Sequence, residues 1–166
     1  MQNDVVLQGG AVGNAIQIMT MNDTYVQNNQ MQTATVASQL NANINLVGGS
    51  VGIQNQSVCN TADVSTDPQI TQIHSKQECY GTDPSSLINA TVTNVVGSVS
   101  IGGSAIANNF SADSNAPNMP VVNQQINTSM TASTVNARVA NIAGSVGVSS
   151  VATGNNAQII HYSTDQ

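Results

Sequence analysis

Positive charge is almost missing from this sequence. Among its 166 residues only Lys76 and Arg138 are basic, against eight acids, for a net charge of −6. Nucleic-acid binding needs a basic footprint, so that class of function is excluded. Charged residues of both signs reach only 6%, where a globular domain carries about 25%. Ordinary intrinsic disorder, which high net charge keeps expanded, is therefore also disfavoured. Tryptophan is absent and aromatics make up 2%. No apolar run approaches the roughly 20 residues that a membrane helix requires, so no membrane insertion is expected. The opening residues lack a basic-then-apolar signal. A sustained 3.6-residue period of Leu, Lys and Glu is missing too, which argues against helical bundles.

What fills the chain instead is Asn, Gln, Ser, Thr, Ala, Gly and Val, arranged in a repeat. Asn14, Asn60, Asn108 and Asn155 stand 46, 48 and 47 positions apart. Nine residues before each asparagine lies Val5, Val51, Val99 or Val146, and seven before it Leu7, Ile53, Ile101 or Val148. The residue just before is small: Gly13, Cys59, Ala107 or Gly154. Apolar, small and amide columns kept in register define a repeat architecture. The anchor stretches are 5–18, 51–64, 99–112 and 146–159, within a single domain spanning 1–166.

Apolar residues at alternate positions match the period of two of a half-buried strand. The expectation is an all-β fold, a β-solenoid built from repeats of about 47 residues, in which stacked rungs replace an aromatic core. The valines, leucine and isoleucines named above form its core. The four asparagines either stack as an amide ladder or sit as exposed turn residues, with corners at which Asn tolerates φ > 0. Gln30 and Gln125 occupy a second shared amide column in the connecting segments. Gln77 is its nearest match in the middle segment but falls one place off. The period fits two coils of twenty-odd residues or one large rung, and both remain open here.

Two stretches read as loops leaving the repeat. Residues 65–86 carry Pro68, His74, Lys76, Glu78, Cys79, Gly81 and Pro84, and residues 113–120 carry Pro117 and Pro120. Asn3-Asp4 stand where later copies have Gly-Ser, so the chain is expected to begin inside a repeat, as a piece of a larger protein.

Cys59 and Cys79 are the only cysteines. In an oxidising compartment a bond between them would pin residues 65–86 to a rung, worth about 3 kcal/mol in the chain-entropy model. The other possibility is one buried and one exposed thiol. His74 and His161 have no partner at zinc-binding spacing. Asp63, Asp67 and Asp83 match no calcium-loop motif. No residue set resembles a nucleophile, an acid–base pair or a phosphate loop. A non-enzyme without cofactor is expected. A threonine array of the ice-binding kind would have to repeat on every rung, and Thr33/Thr35 and Thr91/Thr93 do not.

The strings Ser150-Val-Ala-Thr-Gly-Asn-Asn-Ala157 and Ala11-Val-Gly-Asn14, with the Val-x-x-x-Gln stretches that feed Thr-Ala-x-Val, resemble the holdfast attachment protein D family of stalked bacteria. That resemblance implies a secreted protein at the outer-membrane surface. It would work with partner anchor proteins to keep an adhesive polysaccharide attached. It brings no catalytic or ligand residues, and residues 65–86 with their cysteines depart from it. Gly144-Ser-Val-Gly-Val148 followed by Ala152-Thr-Gly-Asn-Asn156 is also similar to the repeats of secreted biofilm amyloids, whose open β-edges template the next chain into a homo-oligomer or fibre. A trimeric phage-type fibre is the third alternative.

Overall fold

The computed structural model describes residues 3–67, 71–81 and 84–162. Among the described residues the chain runs through ten strands. They are β1 (Val5–Thr20), β2 (Thr24–Gln32), β3 (Ala37–Val47), β4 (Val51–Thr66), β5 (Thr71–Cys79), β6 (Ser85–Val95), β7 (Val99–Ser114), β8 (Val121–Asn127), β9 (Ala132–Ile142) and β10 (Val146–His161). Each strand pairs in parallel with its equivalent one repeat further on. Three sheets result, ordered β1-β4-β7-β10, β2-β5-β8 and β3-β6-β9. The fold is a β-solenoid, and one repeat is one large three-strand rung. Rungs 1, 2 and 3 are β1–β3, β4–β6 and β7–β9, and β10 lies on the long-strand sheet beyond rung 3.

The long strands bend where the small residue precedes the asparagine. Along β4, alternate residues from Val51 to Cys59 are buried, then Asn60, Ala62, Val64 and Thr66. Two consecutive inward residues, Cys59 and Asn60, shift the phase of the strand and turn it. The pairing passes from Val12↔Val58 to Asn14↔Asn60, stepping over Gly13 and Cys59. Before the bend the long sheet packs on the third sheet, with Val51, Ile53, Val99 and Ile101 against Ile44, Ile88, Val92 and Val95. After it the same sheet packs on the second, with Ala62, Val64, Phe110 and Ala112 against Val26 and Ile73. Between these two apolar lobes lie Cys59, Cys79 and Ala107.

The third sheet reaches the next rung through Leu46, Asn94 and Asn141, at φ of 62°, 57° and 56°. A glycine column follows. Gly97 donates its amide to the Gly49 carbonyl at 2.8 Å, and a Cβ on Gly97 would stand 2.5 Å from that oxygen. No side chain fits so close a backbone stack, which is why glycine recurs there. Asp4, which replaces the serine of later copies, accepts the Ser50 amide at 2.7 Å through its carboxylate. Ser50 and Ser98 do the same for Ser98 and Ser145 through their hydroxyls.

Several expectations need correction. The described part of residues 65–86 does not leave the repeat. Ser65 and Thr66 end β4, and β5 and β6 stand in full register with their neighbours. Polar side chains hid the alternation of β5, in which Thr71, Ile73, Ser75, Gln77 and Cys79 point inward. Pro68 and Asp83 lie outside the described residues. In the second predicted loop, Asp113 and Ser114 still belong to β7. The four ladder asparagines are not at positive φ; that conformation falls on the column of Leu46. Among the predicted core residues, Val51, Ile53, Val99 and Ile101 are buried, and Val5 and Leu7 are partly buried. Val146 and Val148 are about half exposed, at 49% and 51%. They belong to β10, which has β7 on one side and, among the described residues, no strand on the other.

Candidate functional site: side-chain ladders and outer faces

At the bend of the long sheet the four asparagines stack into one continuous ladder. Asn14 donates its amide to Asn60 Oδ1, Asn60 to Asn108 Oδ1 and Asn108 to Asn155 Oδ1, each at 2.8 Å. The second amide hydrogen of each side chain goes to a main-chain carbonyl: Met31, Glu78, Ile126 and Gln125 in turn. One side chain thus ties its rung to the next and the long strand to the second sheet. Asn60 and Asn108 are fully buried, where an unpaired amide would be costly. Here the sites demand asparagine by geometry as well as polarity.

The glutamines form a parallel device with opposite polarity. Gln125 donates to Gln77 Oε1 at 2.9 Å and Gln77 to Gln30 Oε1 at 2.8 Å. Gln30 and Gln77 also donate to the carbonyls of Thr61 and Asn109. Gln77, which the sequence placed one residue off, is the fully buried centre of this column. Cys59 and Cys79 are disulfide-bonded, with Cα atoms 6.2 Å apart. The bond joins the bend of β4 to the end of β5, across the seam between the two apolar lobes.

The outer faces carry the few titratable groups. On the second sheet Lys76 pairs with Glu78 at 2.7 Å, and the Tyr80 hydroxyl donates to Glu78 at 2.8 Å. The lysine, then the tyrosine, hold the Glu78 carboxyl below the usual carboxylate range. The hydrogen bond from Lys76 to Glu78 raises the lysine in turn, and the bond from Tyr80 to Glu78 raises the phenol. The His74 ring lies 5.4 Å from that of Tyr25, whereas His161 bonds the Ala116 carbonyl. The aspartates join rungs: Asp63 accepts from Gln17, Asp113 from Ser65, and Asp67 from Asn115. A shallow groove of about 580 Å³ crosses the long sheet, where Gln54 and Gln56 stand above Gly102, Ser104 and Ser149.

Many of these side-chain bonds link one rung to the next. A family model described as holdfast attachment protein D matches residues 1–166, the full sequence. The chain belongs to the holdfast attachment protein D family. Its role is in holdfast attachment, which is exercised at the cell surface. No match was found among curated proteins or among solved structures.

In this family member, sequence reasoning missed a third ladder on the outside of the third sheet. Asn136 donates to Asn89 at 3.0 Å and Asn89 to Asn41 at 2.9 Å. The signal was present, since these three asparagines recur at the spacing of the anchor columns. Asn55 was missed for a different reason. Its buried amide binds the carbonyls of Ser38 and Leu87 and the Ser86 hydroxyl. Gly9 and Gly103 hold the neighbouring positions of its column, so no repeat marks it.

Proposed function

We propose that the chain serves holdfast attachment as a stiff, non-catalytic anchor. The observation that carries this reading is the set of continuous Asn and Gln ladders, which tie every rung to the next through side chains as well as strands. Each buried amide link adds of order 1 kcal/mol to the resistance against parting two rungs. A structure of this kind passes tension along its axis from one attached body to another. On this reading the protein stands at the outer surface of a secreting cell and holds an adhesive polysaccharide through neighbouring anchor proteins. Cells lacking the chain should shed holdfast under shear, and cells supplied with it should retain holdfast. Equal retention in both would reject the anchor role.

A second reading, a fibre subunit, is favoured by the parallel, in-register stacking of equivalent strands, the same pairing by which one copy could add to another. Light scattering and negative-stain microscopy over a range of concentrations separate the two. Unbranched fibres growing from monomer would favour the subunit, and a monomer at every concentration would favour the finite anchor.

A further inference from the structure

The seam between the two apolar lobes is filled differently in each rung. At the bend of the long strand stands Gly13, Cys59 or Ala107, and at the end of the second-sheet strand Gln32, Cys79 or Asn127. Rung 2 alone fills the seam with a covalent bond. That bond is enclosed from both sides. Cys59 and Cys79 are each 1% exposed. From rung 3, the fully buried Ala107 clusters with the two cysteines. The Ser129 hydroxyl lies 3.7 Å from Cys79 Sγ and donates to the Gly81 carbonyl at 2.8 Å. Rung 1 closes the other side. A Cβ on Gly13 would stand 2.5 Å from the Cys59 carbonyl oxygen and 2.9 Å from Gln32 Cδ.

This enclosure decides when the bond can form. Disulfides are made and broken by attack of a thiolate on a sulfur, through a mixed disulfide. The oxidant here is a disulfide donor. One cysteine thiolate attacks it and releases one donor sulfur as a thiolate. The other cysteine thiolate then displaces the second donor sulfur. The chain gives up two electrons to the donor, whose disulfide is reduced to thiols, and the two cysteine protons leave through solvent. In the mixed state a donor sulfur must sit on Cys59 or Cys79, and a seam packed to the density of a protein interior has no room for it. Reduction passes through the same intermediate in reverse, so the same enclosure blocks it. We propose that Cys59–Cys79 is a one-way latch, closed before rung 2 is enclosed in the stack and out of reach of thiols afterwards. Completion of the solenoid is thereby tied to an oxidising compartment. In a reducing one the chain lacks the link between the bend of β4 and the end of β5, and its folded-to-unfolded ratio falls about a hundredfold. The inference does not depend on the anchor reading.

The test uses the purified, oxidised full chain. Dithiothreitol is added in native buffer and, separately, in enough urea to unfold the chain, and freed thiols are followed by mass after maleimide labelling. Reduction in native buffer should be slower by about a hundredfold or more, because it waits for rung 2 to open. A double variant, Cys59→Ala with Cys79→Asn, gives rung 2 the seam pair of rung 3 and removes the thiol chemistry. It should melt about 6–12 °C below the oxidised native chain, or fail to fold. Comparable reduction rates with and without urea would overturn the proposal, since the bond would then be an accessible switch. A double variant that melts together with the oxidised native chain would overturn it as well, because the solenoid would then be complete without the bond.

Discussion

Val51 and Val146 occupy the same column of the same sheet, yet Val51 is 2% exposed and Val146 is 49% exposed. Ile53 and Val148 differ in the same way. The side chains are nearly equivalent and the backbone register is continuous through β1, β4, β7 and β10. What changes is the company. β4 has a strand on each side and two further faces, β5 and β6, closing its rung. Among the described residues β10 has β7 on one side and no strand on the other. Burial in a solenoid is thus a property of the stack, set by neighbours about 4.8 Å above and below and by the facing sheets. A repeat unit carries its apolar residues in advance of knowing whether they will be covered.

The largest effect follows directly from that contrast. Ile53→Ala should destabilise the fold by about 3 kcal/mol, through lost burial and the cavity left in the first lobe. Val148→Ala should cost about 0.5 kcal/mol or less. Thermal melts of the two variants check this, and equal shifts would break the comparison. Next comes the ladder. Asn108→Leu removes one acceptor and two donated bonds and strands the Asn60 amide and Ile126 carbonyl in the interior. A loss of about 3 kcal/mol is expected. Asn155→Leu, at the exposed end of the same ladder, should cost about 1 kcal/mol. Asn118→Leu, at an exposed position between β7 and β8, should stay within about 0.5 kcal/mol. Equal effects from Asn108 and Asn118 would remove the structural role of the ladder.

The columns that could be read in the sequence were those in which one residue type recurs at a constant interval. Asn14, Asn60, Asn108 and Asn155, with the Val and Ile before them, carry their own register, so the strands and the parallel stacking were legible. The number of corners was not. A 47-residue period states how long a rung is, but the bends are made locally, by the consecutive inward pair Cys59-Asn60 and by the positive φ at Asn94. Strand β5 was hidden because its outward residues, Gln72, His74, Lys76 and Glu78, and two of its inward residues, Ser75 and Gln77, are all polar. Binary alternation disappears when amides serve the interior as well as the surface. Exposure of Val146 and Val148 was illegible for the reason given above.

A smaller effect compares rung 1 with rung 2 at one backbone position. Leu46, Asn94 and Asn141 share the left-handed conformation, which costs an ordinary L-residue about 1–2 kcal/mol and asparagine less. Leu46 is also exposed, so little burial offsets that cost. Leu46→Asn should therefore stabilise the fold by about 1 kcal/mol, and Asn94→Leu should destabilise it by at least as much. Asn94→Leu also loses the bonds to Asn45 and from Asn141. Chemical denaturation resolves differences of this size. A neutral Leu46→Asn would mean that the leucine is compensated by contacts elsewhere in rung 1.

The smallest effect belongs to the group that makes rung 2 chemically distinct on its outer face. Lys76, Glu78 and Tyr80 bond to one another, while the strand partners of Lys76 and Glu78 are Asn29, Met31, Gln124 and Ile126, which do not titrate. Glu78 is held below its ordinary value by Lys76 first and Tyr80 second. A carboxylate depressed in the folded state contributes stability that is present above its unfolded value and is lost as pH falls through its folded value. Lys76 is raised by the same bond, so its contribution is present below its unfolded value and is lost as pH rises through its folded one. The pair therefore supports the fold between the carboxylate and ammonium ranges and fades at both ends. Melting temperatures of the native chain and of Glu78→Gln should differ at neutral pH, with the native chain slightly higher, and should converge in acid. A difference that persists at acid pH would assign the effect of the substitution to packing against Met31 and Ile126, and rung 2 would then owe its distinct face to shape and not to charge.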